Sequence, residues 1–143
     1  MKAVIQRVKK TSLHVDGELI SEINFGLAVY FCVEKDDEES LLDYYKYKIL
    51  NMRIFEDENG KMNKSILDVN GEILLISQFT LCADCSHGHR PSFFGAEKPD
   101  RANEMYLKFA DMLRSENVIV KTGVFGADMK ITQENDGPVT IIL

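Results

Sequence analysis

The sequence predicts one mixed α/β domain spanning residues 1–143, with a largely antiparallel sheet and two main helices on one side of it. Three observations lead there. The 143 residues are one domain's worth of chain, and a domain of that size buries about 68–70% of its unfolded surface. Apolar residues alternate with period two in many segments but recur at helical spacing in only two. Asp16-Gly17 and Asn59-Gly60 are dipeptides that favour tight hairpins, the mark of antiparallel neighbours.

Taken in order, Val4, Gln6 and Val8 alternate with Ile5 and Arg7, and Leu13 and Val15 follow before Asp16-Gly17 turns the chain into Glu18 to Ile23. The N-terminal third therefore reads as a β meander. Leu27 to Val33 is a nearly continuous apolar run, the pattern of a strand covered on both faces. Asp36 and Asp37 are candidate caps for a helix running to about Asn51, in which Leu41, Leu42, Tyr45 and Ile49 share a face. Arg53 to Phe55 and Lys61 to Asn63 flank the Asn59-Gly60 turn, and Glu72 to Leu81 forms a long strand candidate. Cys82 to Lys98 is polar and aperiodic, hence a loop. From Pro99, a residue suited to a first helical turn, Ala102, Met105, Tyr106, Phe109, Met112 and Leu113 mark one face of a second helix. Val118 to Thr122 and Asp128 to Gln133 are strands, and an Asn-Asp-Gly-Pro turn at 135–138 leads into the last one. No internal repeat or linker is present.

Composition narrows the function. Hydrophobic residues make up 45% and charged residues 28%, ordinary for a globular protein, and no apolar run approaches the roughly 20 residues that span a bilayer. The N-terminus enters an alternating pattern without the apolar core of a secretory signal, which points to the cytoplasm. Three cysteines, an odd count, fit a reducing compartment better than a disulfide framework. A net charge of −6 argues against a broad nucleic-acid-binding face and against DNA as a partner. Hydrolase signatures are absent: there is no Gly-x-Ser-x-Gly elbow and no His-Glu-x-x-His helix. Cys82, Cys85, His87 and His89 put four potential zinc ligands in eight residues, but a structural zinc site draws on two separated segments and no second knuckle exists. No metal is expected there.

Seven blocks, in one order, carry a resemblance. They are 1–8 (MKAVIQRV), 52–57 (MRIFED), 60–65 (GKMNKS), 77–81 (SQFTL), 90–93 (RPSF), 122–129 (TGVFGADM) and 135–143 (NDGPVTIIL). Together they resemble the D-aminoacyl-tRNA deacylases, small enzymes that hydrolyse D-amino acids from mischarged tRNA. A sister group carries a different sequence where Ser77-Gln78-Phe79-Thr80 stands. The resemblance implies a three-layer α/β/β domain, a homodimer, the aminoacylated 3′ end of tRNA as partner and no cofactor. It implies catalysis assisted by the RNA around Ser77, Gln78, Phe79 and Thr80. It further implies that Gly137-Pro138 is a cis peptide inserted into the partner's active site, where main-chain atoms reject L side chains while glycine passes. Arg7 matches the residue that supports this dipeptide, and Phe125 and Met129 match pocket residues near the terminal adenosine. The chain departs from the family near Ser86 and His87, where lysines are common.

Plainer readings stand beside these. Ser77 to Leu81 reads as a strand end whose hydroxyls satisfy local backbone, Arg7 as an exposed strand arginine, Gly137-Pro138 as a turn, and Phe125 and Met129 as core. Thr80 as a nucleophile lacks an activating base such as an N-terminal amine. Two rival functions remain on sequence alone: a zinc-dependent RNA-binding module on the Cys/His loop, and a small-molecule esterase using Ser77 or Thr80.

Overall fold

The computed structural model describes all residues, 1–143. Its core is a six-stranded mixed sheet built around β1 (Lys2–Val15). One edge of β1 pairs antiparallel with β3 (Gly26–Cys32) through residues 2–8 and with β2 (Glu18–Ile23) through residues 11–15. Its other edge pairs antiparallel with β8 (Met129–Ile142). Beyond β3 the sheet continues in parallel through β6 (Glu72–Ser77) and β7 (Ile119–Thr122). Because β2 also approaches β6 and β7, the sheet curls into a barrel-like core. The remaining strands, β4 (Phe55–Glu56) and β5 (Met62–Lys64), form the small hairpin expected around Asn59-Gly60.

Alternation along the central strands divides the interior into two apolar clusters. Leu27, Val29 and Phe31 of β3 and Ile73 and Leu75 of β6 face the helices, whereas Ala28, Leu74 and Ile76 face a second cluster with Val8, Leu13 and Ile23. Helix α1 (Leu41–Asn51) buries Leu42, Tyr45, Ile49 and Leu50; α2 (Pro99–Arg114) buries Met105, Tyr106, Phe109, Ala110 and Leu113. Phe31 joins the layers, stacking on Phe109 at 4.6 Å and meeting Tyr45 edge-on at 5.7 Å. Burying a side chain of this size contributes about 1.5–3 kcal/mol.

Three sequence expectations are corrected. Helix α1 begins at Leu41, not at Asp36 or Asp37, because the Asp37 carboxylate accepts the Glu34 N–H at 2.6 Å and closes a separate turn. The strand expected over Glu72 to Leu81 ends at Ser77, where its ladder partner β3 runs out; Phe79–Cys82 is instead a 3₁₀ helix. The turn expected at Asn135–Pro138 lies within one continuous β8. There the pairing jumps from Gln6↔Thr140 to Val8↔Asn135, so Arg7 alone stands opposite Asp136, Gly137, Pro138 and Val139. Proline has no N–H to give a ladder, and a bulge is where a sheet accommodates it.

Candidate active site

The end of β6 builds one wall of a cavity of about 500 Å³. At Gln78 the backbone leaves the strand region (φ −141°, ψ 79°), and its N–H donates to Phe31 O at 2.8 Å, anchoring the corner to β3. Ser77, Gln78 and Phe79 line the cavity from this corner. Phe125 lines it from the segment that follows β7, and Met129 and Ile131 extend that wall along β8. Ala102 and Tyr106 complete it from α2. Tyr106 donates its hydroxyl to Leu75 O at 2.7 Å, and burial pushes its pKa up to about 12. It is a neutral wall residue, not a base.

The lining is mostly apolar and carries no lysine, arginine or histidine. Its acids are Glu97 and Asp128, and both are engaged. Glu97 accepts the Lys98 N–H and pairs with Arg101, contacts that hold its pKa below the ordinary value. Asp128 pairs with Lys130 at 2.8 Å. No serine–histidine–carboxylate set is gathered around the cavity, so the arrangement can bind and position an apolar group but offers no evident protein nucleophile with its base.

Thr80 lies outside the lining. It is exposed, and its hydroxyl accepts a hydrogen bond from the Gln78 side chain. Phe79 and Thr80 open the 3₁₀ helix, whose first backbone N–H groups have no intrahelical acceptors. Phe93 of the 90–93 block packs edge-on against Phe79 at 5.1 Å, fixing the outer side of the corner.

The Gly137-Pro138 peptide is cis, and both residues are exposed outside this cavity. Arg7 holds the bulge from below. It is only 4% exposed, which overturns its plainer reading as a surface residue. Its Nη1 donates to Ile54 O at 2.7 Å, and its Nε lies 3.2 Å from Asp136 O and 3.0 Å from Asp136 Oδ2.

The Cys/His loop does not assemble. Cys82 is buried and bonded to Cys32, which overturns the expectation of a chain without disulfides; the end of β3 and the 3₁₀ helix converge there, with Cα atoms 6.6 Å apart. Cys85, His87 and His89 are exposed, and nowhere do three His, Cys, Asp or Glu side chains come together as a metal site.

The family profile described as D-Tyr-tRNA(Tyr) deacylase matches residues 4–143. The chain belongs to that family. Among its relatives, the D-aminoacyl-tRNA deacylase of Clostridium beijerinckii is 52% identical over 100% of this chain and 96% of its own length. That of Aquifex aeolicus is 53% identical over 100% and 97%. A solved structure named c-Myc DNA Unwinding Element Binding Protein superposes with a TM-score of 0.95 at 43% identity, covering 100% of this chain and 97% of its own. Another, described as a probable eukaryotic D-amino acid tRNA deacylase, has a TM-score of 0.82 at 18% identity over 99% and 97%, and shares the fold.

Of the residues the deacylase resemblance marked, the fold brings Ser77, Gln78, Phe79, Phe125 and Met129 to one cavity and leaves Thr80, Arg7, Gly137 and Pro138 outside it. Sequence reasoning missed Phe31, Ala102 and Tyr106 as cavity walls, since each also fits a core pattern. The small Ala102 one turn before the large Tyr106 was the available signal of a recess.

Proposed function

We propose that the protein is an aminoacyl-tRNA editing hydrolase that cleaves the ester of D-aminoacyl-tRNA, and of mischarged glycyl-tRNA, to free amino acid and tRNA. The observation that carries this reading is the cavity itself: family residues from β6 and from the β7–β8 segment meet around an apolar recess in which no hydroxyl is paired with a base. Such a site suits a substrate that brings its own helper. The terminal ribose places a hydroxyl beside the ester, and holding the two in register lets that hydroxyl assist water. The leading N–H groups of the Phe79–Cys82 turn are the donors we assign to the developing oxyanion, since groups fixed in advance need no reorganisation. No cofactor is called for.

In this scheme Gly137 and Pro138 serve the other subunit of a homodimer. Their exposure, and their position away from their own cavity, support a role in a partner's site, where main-chain atoms near the substrate α-carbon leave room for hydrogen but not for an L side chain. The division into helices, sheet and a second β layer belongs to this family reading. The net charge of −6 and a cavity without basic lining favour contact limited to the aminoacylated 3′ end, in the cytoplasm where charged tRNA is used. The same acidity weighs against the DNA binding that one solved relative's name mentions.

The test is release of amino acid from one tRNA charged in turn with the D-form, the L-form or glycine. The D-form and glycine should be released and the L-form spared, and a terminal ribose lacking the neighbouring hydroxyl should abolish most turnover without abolishing binding. Equal rates on D- and L-forms would reject chiral editing, and equal rates with and without the hydroxyl would reject the RNA-assisted step.

A further inference from the structure

We propose that a network of side-chain amides, centred on Gln133, is a second clamp on the Gly137-Pro138 bulge, and that Gln133 is a specificity-positioning residue of the reaction; this rests on the chiral role given to that dipeptide above. Gln133 sits on β8 between the cavity wall and the bulge. Met129 and Ile131 line the cavity, and alternate positions of the same strand then carry Gln133 and Asn135.

Its amide oxygen and both of its N–H groups are engaged. Tyr30 donates its hydroxyl to Gln133 Oε1 at 3.0 Å, while Gln133 Nε2 donates to Gln6 Oε1 and to Asn135 Oδ1, each at 2.7 Å. Gln6 Nε2 passes the chain on to Thr140 Oγ1 at 3.3 Å. A glutamine amide has two N–H donors and one carbonyl, so all three polar features of Gln133 point along the network, and flipping the group would break them together. The bonds tie β8 to β1 and β3 across sequence separations of 127 and 103 positions.

What the network ends on gives it a function. Asn135 and Thr140 are the last residues of β8 paired with β1 on either side of the bulge. Tying both feet to Gln6 and Gln133 resists their spreading. Arg7 holds the bulge from the opposite face of β1, because neighbouring strand residues point to opposite faces. Gly137 and Pro138 are exposed, and within the bulge Val139 packs against the main apolar cluster; the two opposed clamps hold what that packing leaves free. Rejection by main-chain atoms fails if those atoms drift, because discrimination of this kind requires placement within a fraction of an ångström.

Gln133→Met keeps length and removes every bond of the node. Its kcat/KM should be measured on D- and L-aminoacyl-tRNA together with its thermal transition. We expect the D/L ratio to fall by about tenfold or more, with KM for charged tRNA changed by less than about twofold, since the cavity lining is untouched. Because a part-buried polar node can fail for stability alone, the exposed pair Asn135→Ala with Thr140→Val removes only the two feet and should lower the ratio in a fully folded protein. A D/L ratio within about twofold of the parent in that folded pair overturns the clamp. If the parent itself does not discriminate, the editing reading fails first; if the parent discriminates and both variants do so equally, only the clamp fails.

Discussion

Replacing Arg7 with methionine would remove the guanidinium from beneath the bulge while retaining most of the side chain's volume. The bonds lost are to Ile54 O at 2.7 Å, Asp136 O at 3.2 Å and Asp136 Oδ2 at 3.0 Å. Glu56, 3.8 Å away and with a largely exposed side chain, adds little. Ile54 is buried, so its abandoned carbonyl costs about 1–3 kcal/mol. Asp136 retains some access to water, and its pair with Arg7 is discounted for that to about 1 kcal/mol. The sum is about 3 kcal/mol. At about 2.1 cal/mol/K of unfolding entropy per residue, a 143-residue chain shifts by about 3 °C per kcal/mol, so the transition should fall by about 10 °C. Arg7→Lys should lie between parent and Arg7→Met, because a single ammonium cannot span both Ile54 and Asp136 as a planar fork does. Circular-dichroism melts give the stability. Deacylation assayed well below both transitions isolates the positioning effect, expected to be at least about tenfold. An Arg7→Met protein melting within about 2 °C of the parent, or a lysine variant matching the parent in stability and rate, would refute the clamp beneath the bulge.

The other expectations concern chemistry, backbone and core. Ser77→Ala and Thr80→Ala should each retain substantial deacylation, because neither hydroxyl has a base beside it; a trapped acyl-enzyme at either position would contradict this. Gly137→Ala places a Cβ 2.8 Å from Val139 Cγ2 and 2.9 Å from Val139 N, at φ +125°. It should cost about 1–3 kcal/mol of strain and depress turnover, so unchanged melting and rate would count against a bulge that requires glycine. Thr11 is fully buried and its hydroxyl has no partner. Thr11→Val should raise stability by about 1 kcal/mol in a urea titration, and a destabilised variant would mean that the hydroxyl is satisfied after all.

What the sequence by itself determined was local. The Asp16-Gly17 turn, with φ of 51° and 86°, is the hairpin its dipeptide specifies, and α2 begins at Pro99 and buries the face its spacing marked. The seven motif blocks were enough to identify the family, because side-chain identity in fixed order survives without coordinates. Tertiary structure decided whatever depended on a neighbour. Leu81 fits a strand pattern as well as Ile73 does, yet only β3 could show that the ladder stops at Ser77. Arg7 looks like any strand arginine until the four residues 136–139 are found opposite it and Ile54 O within its reach. Gln6 and Gln133 are ordinary polar strand residues in sequence, separated by 127 positions, and only the pairing of β1 with β8 brings their amides together. Cys82 reads as an unpaired loop thiol until β3 delivers Cys32 beside it. Periodicity and turn chemistry act over a few residues and are therefore written in the chain; ladder ends, buried charge and side-chain networks are set by which strand lies alongside.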